Sequence, residues 1–142
     1  MANPHATATL SLARLHAHLD DAAFGAAARQ AAGAYDVTLK RAPAAFSKLL
    51  AARAFVESAV QQVVVCGTPG SDDFVALQRL VGTSFAPYRI LVHGAADTPG
   101  LPRLAGRPKQ AAAAVYICEG HTCLAALSDL GEVAAALKIR AR

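Results

Sequence analysis

The densest group of reactive side chains in the sequence lies in one short segment towards its C-terminal end. Cys118 and Cys123 are five residues apart, and His121 lies between them. Two thiols at this spacing, in a loop that leaves a strand, can close a small disulfide if their geometry suits it. Together with the imidazole they also offer three soft ligands to zinc, although the sequence indicates no fourth ligand. Free structural thiols, a reversible disulfide and a metal site all remain open.

A second group of candidate residues is basic. Arg103, Arg107 and Lys109 lie in a Gly/Pro-rich segment, residues 94–112, that has neither a helical nor a strand period. Long segments of this kind are often lids, binding loops or partner contacts. Arg53 lies near the middle of the apolar stripe of a predicted helix, where its stem packs while its guanidinium reaches solvent, or where it awaits a carboxylate or phosphate. The four cations predict a site for a small anionic ligand.

The turn at residues 67–71 resembles phosphate-binding loops only in being rich in glycine. It matches neither glycine-rich signature, and no lysine follows it. Asp72 and Asp73 come next, in the first turn of a predicted helix, where they satisfy the positive end of the dipole and repel an anion. We therefore interpret the turn as structural. No catalytic set of side chains follows from spacing alone, and we do not expect the chain to be an enzyme by itself.

The elements that must position these residues are strands and helices of an α/β fold. Residues 62–66 form an almost wholly apolar run, typical of a central strand covered on both faces. A helix at about 72–82 and a strand at 89–93 follow, and this order predicts parallel pairing through a right-handed crossover. Residues 113–118 form a third strand. Asp129 then opens a final helix, because Glu132 follows it at the spacing of a capping box.

The first part of the sequence is helical. Residues 6–19 and a second helix that runs to about Asp36 predict an αα-hairpin, and a third helix runs from Pro43 to about Ser58. The hairpin has an apolar face with little bulk, so we expect it to need a partner surface, either a second copy or the rest of a larger protein. The expected homodimer interface includes four large side chains: Leu12, Leu15, Leu19 and Phe24.

Composition restricts the class of protein. The chain has 142 residues, 54% of them hydrophobic, and much of that fraction is alanine, which favours helices that pack closely through small faces. The net charge of +4 is scattered along the sequence, which argues against nucleic acid as a partner. No apolar run approaches the roughly 20 residues of a membrane span. We find no secretory signal and expect a cytoplasmic protein with no cofactor.

Several stretches together resemble one known family of long proteins. They are residues 3–10 with 12–15, 63–67, 86–91, 101–106 and 114–123. The family is the thioredoxin-domain-containing, spermatogenesis-associated-like family. The resemblance implies a parent architecture with a thioredoxin-like domain, then an (α/α) barrel similar to sugar epimerases, then a small α/β tail. Residues 1–60 correspond to the end of the barrel, and residues 61–142 correspond to the tail.

The resemblance implies a role as well as a fold. The matching stretches include neither the CxxC of the thioredoxin domain nor most of the barrel, so it implies neither activity for this chain. It implies a non-catalytic C-terminal structural and interaction module, in which Cys118 and Cys123 are the feature shared with the family. The expected fold is α/β: N-terminal helices, then a small three-layer and mostly parallel sheet of three strands. The alternatives are a thiol redox or metal site at the cysteine loop, and binding of a small anion.

Overall fold

The computed structural model describes residues 3–109, 112–120 and 122–138. The chain divides into two compact units, with the boundary between Ala59 and Val60. The first unit is helical, and the second combines a sheet with helices, so the predicted α/β class is confirmed. None of the helices in the described residues is long and apolar enough to cross a membrane.

The described residues of the first unit, from residue 3 onwards, form four α-helices and one 3₁₀ turn. The helices are α1 (Pro4–Leu19), α2 (Ala22–Gly33), α3 (Asp36–Arg41) and α4 (Ser47–Glu57), and the turn is Pro43–Phe46. Asn3 caps α1, since its side chain accepts from the backbone N–H groups of His5 and Ala6. Asp21 caps α2, and only two residues separate α1 from α2. These caps fix the tight connection that the sequence predicts.

Small side chains form the buried face of this unit. The residues buried on α1 and α2 are Ala6, Thr9, Ala13, Ala17, Gly25, Ala28 and Ala32. A Cβ atom added to Gly25 would lie 3.0 Å from the His16 ring, so the chain tolerates little more bulk there. Leu49, Ala52 and Phe55 are buried on α4, which packs against α1 and α2. The predicted packing of helices through small faces therefore describes this unit.

The second predicted helix is too long. It ends at Gly33 rather than near Asp36, and a separate short helix, α3, begins at Asp36. Glycine has a poor helix propensity, and the Asp36 carboxylate pairs with Arg53 at the first turn of the new helix. The predicted third helix is likewise divided, since Pro43 opens a 3₁₀ turn before α4 begins.

In the second unit the part of the chain that the structure describes forms a four-stranded sheet and two α-helices. Its elements are β1 (Gln61–Cys66), α5 (Asp72–Gly82), β2 (Arg89–Gly94), a 3₁₀ turn (Pro102–Leu104), β3 (Ala114–Glu119), β4 (Thr122–Cys123) and α6 (Leu130–Ala136). The strand order is β2-β1-β3-β4. Strands β1 and β2 are parallel, with Val63 opposite Leu91, as the β–α–β order predicts.

The rest of the sheet is antiparallel, which corrects the expectation of a mostly parallel sheet with three strands. Strand β3 runs antiparallel to β1, with Val64 opposite Tyr116, and β4 runs antiparallel to β3. The segment between β2 and β3 contains a 3₁₀ turn and no described crossover helix, so the chain enters β3 from the opposite direction. Gly120 has φ 59°, a backbone conformation suited to the short turn between β3 and β4.

The two faces of the sheet are covered differently. Helices α5 and α6 lie on one face, where the buried cluster includes Val63, Val65, Phe74, Leu77, Val81, Ala113, Val115, Ile117, Val133 and Leu137. The α5 residues in this cluster are Phe74, Leu77 and Val81, which lie on one face of the helix. On the other face the 3₁₀ turn packs against β1 and β2, and its Leu104 is fully buried. An irregular segment therefore takes the place of the helix expected in this third layer.

Candidate functional site

The Cys118–Cys123 pair forms a disulfide across the last two strands. The two residues are opposite each other in the β3–β4 ladder, with an S–S distance of 2.01 Å and a Cα–Cα distance of 4.0 Å. The next pair carries a backbone hydrogen bond, from the Leu124 N–H to the Ile117 carbonyl at 2.9 Å. The cysteines thus occupy a non-hydrogen-bonded pair, in which side chains approach most closely. The redox role of the bond stays a prediction.

The two sulfur atoms lie in different surroundings. The Cys118 side chain is 3% exposed, whereas Cys123 is exposed on the short edge strand. Arg107 Nη2 lies 3.9 Å from Cys118 Sγ, and the guanidinium carbon lies 4.3 Å from the centre of the Tyr116 ring. A cation over an aromatic face is favourable, so the ring helps to hold the guanidinium beside the sulfur.

The metal-site interpretation requires more than the structure provides. A sulfur that is bonded to another sulfur has no thiolate to offer to zinc. The described part of the chain contains no group of three or more His, Cys, Asp or Glu residues that could hold a metal ion. His121 lies outside the described residues, so its distance to either sulfur is not part of this structure.

Hydrogen bonds hold the segment that follows the disulfide, residues 124–129, to β3 and to the start of α6. Val115 and Leu127 exchange two backbone hydrogen bonds, of 2.7 and 3.0 Å, farther along the edge of β3. Asp129 then caps α6, since its carboxylate accepts from the Glu132 N–H at 2.9 Å, as the capping motif predicts. The disulfide therefore closes a segment that leads directly into a helix of the core.

The basic segment contributes to a cleft at the carboxyl ends of the parallel strands. The cleft has a volume of about 280 Å³ and is lined by Cys66, Gly67, Thr68, Pro69, Ala95, Ala96, Pro108 and Lys109. Ligands of α/β sheets commonly bind at such strand ends. Burial raises the pKa of the Cys66 thiol, and the nearby Arg107 charge opposes that effect. A Cβ on Gly67 would lie 2.7 Å from Ala113 Cβ, so glycine is needed at this wall.

Arg53 lies in the first unit and has two carboxylate partners. It forms an ion pair with Asp36, and its Nε donates to Glu57 Oε1 at 2.7 Å. The hydrogen bond to Glu57, followed by the charge of Asp36, raises the pKa of Arg53. Its side chain is 32% exposed, so Arg53 is not a fully buried arginine. Its charge is already paired with two carboxylates of the chain. The other candidate cations, Arg103, Arg107 and Lys109, lie in the second unit, and anion binding stays a prediction.

Asp73 links the start of α5 to the start of β3. Its carboxylate accepts from the Phe74 N–H at 2.8 Å and from the Ala113 N–H at 2.6 Å. The Ala113 hydrogen bond, with smaller contributions from Ser71 and Phe74, holds the pKa of Asp73 below its ordinary value. The sequence predicts the acidic helix start, but the contact with Ala113, forty residues away, gives no local signal.

The chain is similar to part of three curated proteins. It is 28% identical over 102 residues to spermatogenesis-associated protein 20 of the rat, which covers 68% of this chain. The mouse and human proteins of the same name are each 26% identical over 102 residues. The chain spans about 13% of the length of these relatives. No family model matches, and no solved structure is significantly similar. The similarity supports a relationship to one segment of these larger proteins.

Proposed function

We propose that the chain is a non-catalytic structural and interaction module in a larger protein of the thioredoxin-domain-containing, spermatogenesis-associated-like family. The similarity to spermatogenesis-associated protein 20 supports this proposal, because the matching region is a small share of a much longer protein. The sheet unit has a buried core of its own, as expected of a module within a larger protein. We also propose that it acts in the cytoplasm.

The observation that carries the interaction role is the pair of exposed leucines on α1. Leu15 is 39% exposed and Leu19 is 36% exposed, while three alanines of the same helix, Ala6, Ala13 and Ala17, are buried. At 100° per residue the leucine stripe lies roughly 130° round the helix from the alanine face. Leu12 and Phe24 beside it are only half-buried. We propose that a second copy of the chain covers these four side chains in a homodimer.

Light scattering after size-exclusion chromatography at micromolar concentration tests this proposal. The unmodified chain is expected to have the mass of a dimer, and Leu15→Asp is expected to have the mass of a monomer, because a buried unpaired charge opposes association. Leu50→Asp provides a matched control, since Leu50 on α4 is 37% exposed and lies outside the proposed interface. A monomeric unmodified chain would contradict the homodimer.

A second candidate function is reversible thiol redox chemistry at Cys118 and Cys123. Two observations favour it: the sulfurs are bonded to each other, and Cys123 is exposed to solvent-borne thiols. Disulfides in reducing compartments are usually transient, catalytic or redox-sensing, which fits the proposed cytoplasmic location. Equilibration in glutathione buffers of increasing oxidation, followed by alkylation and mass measurement, should show one two-electron transition. Cys66→Ser should leave that transition unchanged, whereas a pair that stays reduced in every buffer would refute the redox role.

A further inference from the structure

The two halves of the Cys118–Cys123 disulfide are chemically unequal, and we infer that its exchange with thiols has a fixed direction. The attacking thiolate bonds to Cys123, and Cys118 departs as a thiolate stabilised by Arg107. This inference rests on the redox role proposed above. It assigns Arg107 as a positioning residue and the sulfur of Cys123, an exposed residue of the edge strand, as the site of mixed-disulfide formation.

Access selects the sulfur that is attacked. Thiol–disulfide exchange depends on which sulfur the incoming thiolate can reach. Cys123 is exposed on β4, the two-residue strand at the edge of the sheet. Cys118 is 3% exposed on β3, which has β1 on its other side. A thiol from solvent therefore meets Cys123 first.

Charge selects the sulfur that leaves. A thiolate beside a cation is a better leaving group, and Arg107 Nη2 lies 3.9 Å from Cys118 Sγ. Two contacts hold the guanidinium there: it lies over the Tyr116 ring, and its Nε–H donates a hydrogen bond to the Arg103 carbonyl oxygen at 3.2 Å. This support limits how far the positive charge can move away when the sulfur becomes negative.

The other neighbours of Cys118 do not cancel this charge. On β1 the residue opposite Cys118 is the neutral Gln62. Glu119, next along β3, lies on the opposite face of the sheet from Cys118, because side chains alternate along a strand, and there it accepts from Gln61 Nε2 at 3.0 Å. On β4 the opposing residue is Cys123 itself. The residues opposite Cys118 on both neighbouring strands are therefore uncharged and do not offset the positive charge of Arg107.

The proposed step balances as an exchange with a thiol reductant. The thiolate of the reductant forms a bond to Cys123 Sγ, the bond between the two cysteine sulfurs breaks, and its electron pair goes to Cys118 Sγ. A second thiolate then attacks the reductant sulfur of the mixed disulfide and releases Cys123 as a thiolate. Two reductant thiols are oxidised to one disulfide, and the cysteine pair is reduced to two thiols.

Mapping of the mixed disulfide tests the direction without any substitution. The oxidised chain is mixed with limiting reduced glutathione, quenched with acid and digested, and the peptides that carry glutathione are measured. We expect adducts on Cys123 to exceed those on Cys118 by at least about tenfold. Equal adducts, or an excess on Cys118, would overturn the direction and leave the redox role standing. Absence of the disulfide, or of any exchange, would overturn both.

The role of Arg107 is tested on the Cys118 thiol alone, in a Cys66→Ser, Cys123→Ser background. Ultraviolet absorbance of the thiolate is followed as the pH is raised. Arg107→Met should leave about tenfold less thiolate at a given pH, because the nearby positive charge is lost. Arg107→Lys should restore most of it, and Arg103→Met, which removes a cation from the same segment, should change little. An unchanged titration in Arg107→Met would overturn the assignment, and a purely structural role would not be rescued by charge.

Discussion

The contact between α1 and α2 in the helical unit and the core of the sheet unit are packed in opposite ways. In the helical unit alanine and glycine form the contact between α1 and α2, and large residues such as Leu15 face outward. In the sheet unit valine, isoleucine, leucine and phenylalanine fill one continuous cluster beneath α5 and α6. Alanine buries little area, so the α1–α2 contact depends on close approach of the two helices, whereas the sheet unit depends on buried volume. The α1–α2 contact and the core of the sheet unit should therefore respond oppositely to a change in side-chain size.

The largest effect is expected from loss of volume in the sheet unit. Leu77→Ala, on α5, removes a side chain that is 1% exposed and should lower the free energy of unfolding by about 3 kcal/mol. Leu130→Ala is the matched control, because Leu130 on α6 is 45% exposed and should cost far less. Urea unfolding measures both. Similar losses of unfolding free energy in the two variants would show that the sheet unit does not depend on the buried volume of Leu77.

Added volume in the helical unit should have the next largest effect. Ala28 on α2 is 1% exposed, and Ala28→Leu should lower the free energy of unfolding by about 2 kcal/mol, because the facing helix has no space for the extra atoms. Ala26→Leu adds the same atoms at an exposed position of the same helix and should be nearly neutral. Stabilisation by Ala28→Leu, followed in the same urea experiment, would show that the helices are not closely packed.

The smallest effect concerns acid and belongs to the sheet unit. The folded state lowers the pKa of Asp73, so the stability that its carboxylate contributes is complete above the ordinary value and is lost as the pH falls through the lowered one. Asp73→Asn should therefore reduce the melting temperature at neutral pH and narrow its difference from the unmodified chain below about pH 4. Asp72→Asn is the control at the preceding residue. A melting-temperature difference that is independent of pH would show that the ionisation of Asp73 does not contribute to stability.

The same contrast explains which parts of the fold could be predicted. The run at 63–66 has no polar residue to give it a solvent face, and Asp72 and Asp73 mark a helix start, so β1 and α5 are clear in the sequence. On α1 apolar residues lie on two sides of the helix, and the side with small residues is buried while Leu15 and Leu19 are exposed, so hydropathy alone does not identify the buried side. The short elements α3 and β4 carry too few residues to show a period.

Only the part of the candidate site that depends on local spacing could be predicted from the sequence. The spacing of Cys118 and Cys123 makes a disulfide possible, but the sequence leaves free thiols and a metal open as well. Arg107 could not be assigned to the sulfur, because its segment has no period from which a direction could be deduced. For Arg53 one partner, Glu57, is visible four residues ahead, while Asp36 is brought near only by the fold.

A count of free thiols in the chain before and after reduction tests most directly whether Cys118 and Cys123 are bonded to each other. The protein is denatured in the presence of an alkylating reagent, with and without prior reduction, and the intact mass is recorded. With Cys118 and Cys123 bonded, one of the three cysteines, Cys66, should be alkylated before reduction and all three afterwards. Three alkylated cysteines before reduction would contradict the disulfide that joins β4 to β3.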